Sequence, residues 1–210
     1  MPTVTSAEVR AAASSEWEAA TGHRLFREII ADTVSDADFE RYLRIEFAFI
    51  DTAAIALGAA VRLAPDMADR QHLASGLHDL LTNQVAFFED ALGQDRSSII
   101  PPSARPLHAL YGDVSEGSSY VSLLAAMLAA EWLYETWCAE TIDRPSSRAH
   151  IRAWTELHTS PAFTGHAAWL RSQLDAAAPE LGEDESIRVA AVFRDTLTAE
   201  IHFHDAVYER

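Results

Sequence analysis

Residues 36–63 read DADFERYLRIEFAFIDTAAIALGAAVRL, and the spacing within them decides the fold class. Phe39, Tyr42, Leu43, Phe49, Ile50, Ala53, Ala54 and Leu57 recur at three- and four-residue steps, which places them on one face of a helix. Ser35-Asp36-Ala37-Asp38 supplies an N-terminal cap with an acid in the first turn. The position that completes the apolar face is Glu46, so a carboxylate occupies a core slot.

Outward from this stretch the same periodicity recurs. Breakers cluster at Gly22, Ala64-Pro65, Pro101-Pro102, Pro106 to Gly117, Pro145, Ser160-Pro161 and Pro179 to Gly182. Between them no segment alternates as a strand would, which predicts an all-α fold with helices at 6–21, 23–32, 36–63, 66–93, 103–112, 118–142, 146–158, 161–177 and 184–209. The stretch from Gln94 to Gly117 is the most irregular, but the helices flanking it are too apolar to stand apart, so residues 1–210 are read as one domain.

Bulk composition removes several function classes. The formal net charge of −16 opposes nucleic-acid backbones and anionic membranes as partners. All 16 basic residues are Arg, so Schiff-base chemistry has no lysine to run on. A single cysteine, Cys138, excludes an intramolecular disulfide and a cysteine-rich zinc site. The N-terminal MPTVTSAEVRAAASSEWEAA has no secretion-signal pattern, and no uncharged apolar run reaches the about 18 residues of a membrane span. A soluble, cytoplasmic protein is expected.

Two more acids repeat the pattern of Glu46. Glu131 lies at the centre of the series Leu124, Met127, Leu128, Tyr134, Cys138, with Glu135 one turn on. Glu200 falls on the stripe Val189, Phe193, Leu197, Phe203, Val207, with His204 one turn later. A buried carboxylate costs several kcal/mol unless it is paired or hydrogen-bonded, so three such acids call for partners or a task. Gathered around a cavity, they would have pKa values raised towards neutrality by desolvation and mutual repulsion. They would then serve general acid/base work on a ligand between aromatic walls, or metal binding. The metal signal is weak: Glu200 and His204 can share an ion, His202 and His204 cannot, and the paired Glu-x-x-His spacing of di-iron bundles is missing from the long helices. His23, His72, His78, His108, His150, His158 and His166 are scattered as surface or capping residues, His158 alone standing at a helix end where it can line a cavity. Cys138 reads as a small core residue, and Met127, Phe47, Phe49, Phe87 and Phe88 as core or stacking groups.

The helix AAMLAAEWLYETW, the C-terminal EIHFHDAVY, and the stretches YLRIEFAFI and NQVAFFEDALG together resemble the TenA (thiaminase II) family of the haem-oxygenase-like helical fold, over nearly the whole chain. The resemblance implies a bundle of about seven to nine helices with the ligand buried among them, and homotetramers or homodimers. It implies thiamin salvage: hydrolysis of an amino- or formylaminomethyl pyrimidine to the hydroxymethyl pyrimidine, with no cofactor and no metal. The family's pyrimidine-gripping acid falls on Glu46, where many members have Asp, and its aromatic one turn on is Phe49, where many have Tyr. The nucleophilic Cys of the best-known branch is replaced by Ala130, followed by EWLY, so the chain resembles the cysteine-less branch with Glu131 at that locus. Tyr134 and Glu200 match the family's motif tyrosine and its catalytic glutamate, while two further site tyrosines fall on Pro106 and His158.

The expected roles follow. Glu131 and Glu200 are catalytic, sharing water activation and leaving-group protonation; Glu46, Phe47, Phe49, Phe88, Tyr134 and His158 bind the substrate. Two alternatives stay open at this point: an oxidase of the same fold that uses iron, or a haem-type cofactor through His23, with Glu46, Glu131, Glu200 and His204 as candidate ligands, and a non-catalytic pyrimidine-binding homologue.

Overall fold

A computed structural model describes residues 4–209. Among them are eleven α-helices and no strands: α1 (Ser6–Ala12), α2 (Ser14–Thr21), α3 (Arg24–Ile30), α4 (Asp36–Leu63), α5 (Met67–Asp79), α6 (Val85–Leu92), α7 (Arg105–Gly117), α8 (Tyr120–Ala139), α9 (Ala149–His158), α10 (Pro161–Ala177) and α11 (Glu183–Asp205). Short 3₁₀ turns precede α7 and follow α10 and α11, and a π-helical turn, Leu80–Gln84, joins α5 to α6. No described helix is long and apolar enough to cross a membrane.

The chain divides into two compact units, one of residues 4–33 with 121–201, the other of residues 34–120 with 202–209. In the first, α1 packs on α2 and α10, and α9 on α10. Its core holds Leu25, Phe26, Trp137, Trp154, Leu170 and Phe193, each 2% exposed or less. The apolar run of α8 is buried on every side, from Ser122 through Ala129, as expected of a helix without a polar face. In the second unit α4 is the spine, against which α5, α6 and α7 pack. Tyr42, Leu43, Ile45, Leu73, Phe88 and Leu107 form its core.

Local chemistry explains where helices begin. Ser35 Oγ accepts from the Asp38 N–H at 3.0 Å and caps α4, whose bounds match the expected 36–63. Thr5 and Glu8 form a capping box on α1, and Ser160 caps α10 ahead of Pro161.

Three expectations are corrected. The helix expected at 6–21 breaks at Ala13, which has left the helical region at φ −103° and ψ 30° yet keeps the hydrogen-bond ladder running to Val9 before it and from Trp17 after it. The single helix expected at 66–93 widens into the π turn, within which the Thr82 hydroxyl donates to the His78 carbonyl at 2.7 Å. The helix expected to stop at 112 runs on to Gly117, because burial of Tyr111, Val114 and Ser115 outweighs the roughly 1 kcal/mol that a helical glycine costs.

Candidate functional site

The second unit holds Glu46, Phe47, Phe49 and Phe88, all but the last on α4. Glu46 is 9% exposed, so the acid on the apolar face is buried. Phe47 and Phe49 stand two residues apart and point to different sides of the helix. Phe47 meets Phe88 at 5.4 Å between ring centroids, and Phe88 meets Phe87 at 5.4 Å. Phe49 instead joins a separate cluster, with Tyr111 at 5.1 Å, His108 at 5.3 Å and Phe203 at 5.6 Å, all edge-to-face. Thr52, one turn beyond Phe49, lies 2.7 Å from His108 Nδ1. The two phenylalanines of α4 therefore belong to different walls, a division the three- and four-residue count alone blurred.

The first unit holds Glu131, Tyr134, His158 and Glu200. Glu200 is 2% exposed on α11. Glu131 is half-buried, at the point on α8 where the fully buried run ends. Next to it Trp132 carries the guanidinium of Arg10 at 5.0 Å and that of Arg171 at 5.1 Å. Arg171 also forks onto Glu135 at 2.5 and 3.2 Å, so α8 is anchored to α10 within one turn of Glu131. Cys138 is fully buried, a core residue.

Tyr134 and His158 are brought together, their rings 5.0 Å apart. Phe26, Trp137 and Trp154 complete the surround of Tyr134 at 6.2, 5.8 and 6.4 Å. His158 is 4% exposed, with Trp154 at 4.2 Å and Phe163 at 4.7 Å edge-to-face. Its Nδ1 lies 2.9 Å from the Trp154 carbonyl oxygen, which only accepts, so the proton sits on Nδ1 and Nε2 carries the lone pair. Burial pushes the imidazole down to about 4, the bond to Trp154 opposing the shift, so the ring is neutral at physiological pH. A neutral ring with a fixed tautomer can accept a hydrogen bond from a ligand N–H, or a proton. His23 takes the capping role expected of the scattered histidines: its side chain accepts from the Leu25 N–H at 3.2 Å and starts α3.

Three members of these walls escaped the sequence reading as site residues: His108, Tyr111 and Phe203. Phe203 was legible as part of the α11 stripe; the other two sit beyond the breakers at Pro101-Pro102 and Pro106, where no period pointed to them. Among the described residues no group of three or more His, Cys, Asp or Glu side chains is placed to hold a metal ion.

Residues 10–210 match the model of the TENA/THI-4/PQQC family. The chain belongs to that family. A TenA homologue from Pyrococcus furiosus superposes with a TM-score of 0.88 at 19% identity, over 97% of this chain and 99% of that one. A TenA family transcription regulator from Silicibacter follows with 0.82 at 16% identity, over 97% and 96%. A candidate TenA-like thiaminase from Sulfolobus solfataricus gives 0.73 at 14% identity, over 96% and 95%. No curated protein sequence matches the chain. The TenA structures share the haem-oxygenase-like helical fold, and this chain has it.

Proposed function

We propose that this TenA-family chain hydrolyses aminopyrimidine breakdown products of thiamin, replacing the amino or formylamino group on the exocyclic carbon by hydroxyl. The observation that carries the reading is the burial of Glu46 and Glu200, 9% and 2% exposed, the two acids that the sequence resemblance reads as ring-gripping and catalytic. Carboxylates at such depth are retained for a hydrogen-bonding or proton-transfer task.

Glu46 recognises the amidine-like edge of the pyrimidine through charge-assisted hydrogen bonds. Phe47 or Phe49, with Phe88, stacks on the ring. Tyr134 orients the substrate, and His158 accepts a hydrogen bond at Nε2. One of Glu131 and Glu200, ionised, takes a proton from water as its oxygen attacks the exocyclic carbon; the other, protonated, gives its proton to the departing nitrogen, so that amine and water yield alcohol and ammonia. The chain acts as a single TenA-like domain and assembles as a homotetramer or homodimer, which light scattering after gel filtration measures directly.

The test is chemical. Purified protein incubated with the aminomethyl pyrimidine is expected to release the hydroxymethyl pyrimidine and ammonia in equal amounts, read by mass spectrometry. Tight binding in a thermal-shift assay without product would make the chain a pyrimidine-binding homologue, and neither binding nor product would defeat the reading altogether.

A further inference from the structure

In the second unit His108 carries a buried nitrogen that is left over. His108 Nε2 is buried and meets no hydrogen-bond partner among the described residues, while Nδ1 lies 2.7 Å from Thr52 Oγ1. Thr52 behaves unlike other helical threonines of the chain. Thr82, Thr136 and Thr196 return their hydroxyls to the carbonyl four residues back, at 2.7 to 2.8 Å, whereas the Thr52 hydroxyl is turned to the histidine.

The proton count selects a tautomer. With Thr52 donating to Nδ1, a single group, the Nε2–H, is left without a partner. The reverse arrangement strands two, the threonine proton and the Nε2 lone pair. Each buried polar group left unpaired destabilises the fold, so the first arrangement prevails. Burial lowers the imidazole pKa below its ordinary value, which keeps the ring neutral.

Around this N–H the walls are flat. Phe49 stands 5.3 Å from the His108 ring at 72°, and Phe203 stands 6.5 Å away at 48°. A planar ligand with an acceptor in its plane can pair with Nε2 while lying against these rings. We propose that His108 is a specificity-determining residue: its Nε2–H donates to a ring nitrogen or carbonyl oxygen of a flat heteroaromatic ligand held against Phe49 and Phe203. This rests on the pyrimidine reading above and adds to it a neutral N–H donor.

Calorimetry of the full chain with the hydroxymethyl pyrimidine as probe, beside steady-state kinetics on the aminomethyl pyrimidine, tests it. His108→Phe keeps a ring and removes the donor; it is expected to weaken Kd and raise KM about tenfold, with kcat changed less than about threefold. His108→Gln keeps an N–H at similar reach and is expected to stay within about threefold of the wild type. Equal pyrimidine binding by the wild type and His108→Phe overturns the assignment of His108 and leaves the pyrimidine reading standing. A wild type that binds no pyrimidine overturns both. Should the Phe variant not fold, imidazole ¹⁵N NMR of the wild type decides: an Nε2–H tautomer whose resonance moves on adding the probe supports the proposal, and an Nδ1–H tautomer or an unmoved resonance overturns it.

Discussion

At the scale of single residues, His158 makes the sharpest claim on solution behaviour. Buried among Tyr134, Trp154 and Phe163, it takes up a proton only near pH 4 when folded, against about 6.5 for an ordinary imidazole. Between these values the unfolded chain holds more protons, so stability is full above about 6.5 and is lost as pH falls towards 4. Urea titrations from pH 7 down to pH 4 are expected to show the wild type losing about 3 kcal/mol more than His158→Phe; parallel losses would contradict the buried neutral ring. Sequence placed His158 at a helix end but not in an aromatic box, because Trp154 and Phe163 belong to different helices and their convergence is tertiary. Glu46 and Glu200 were legible, since an acid on an apolar stripe is visible at helical spacing. Glu131 was read the same way and is half-buried, because α8 turns from all-apolar to mixed at Ala130.

At the scale of elements, the join between α3 and α9 shows what periodicity leaves unread. Asp32 sits in the left-handed region at φ 57° and accepts hydrogen bonds from Ser146, Ser147 and Arg148, which fix the approach to α9. The hydroxyls of Ser146 and Ser147, with Arg148, hold its carboxyl well below the usual carboxylate range. Asp32→Gly removes the carboxylate but accepts the backbone angle, while Asp32→Ala removes one and strains the other. Both variants are expected to be less stable than the wild type, with the alanine variant lower by about 1 kcal/mol in chemical denaturation. Starts with a chemical signature, such as Ser35 before α4 and Ser160-Pro161 before α10, were legible in sequence. The π turn at Leu80–Gln84 was not, because its residues carry no breaker that would interrupt the helical period.

At the scale of the whole molecule, 32 acidic residues against 16 arginines leave the folded chain repelling itself. Raising sodium chloride from about 10 to about 300 mM shortens the screening length and is expected to raise Tm by a few degrees; a fall would mean that ion pairs outweigh the repulsion. The fold class was legible across the full chain because nearly every segment carries the helical period. The TenA-family match over residues 10–210 agrees with that reading although identity to the Pyrococcus, Silicibacter and Sulfolobus structures is 19% or less, a level where pattern outlasts letters. The central claim is that Glu131 and Glu200 do the chemistry while other groups hold the ring. Its most direct test is turnover and pyrimidine affinity of Glu131→Gln and Glu200→Gln: each is expected to lose at least about a hundredfold in kcat with Kd within a few-fold of the wild type, and full turnover in both variants would contradict it.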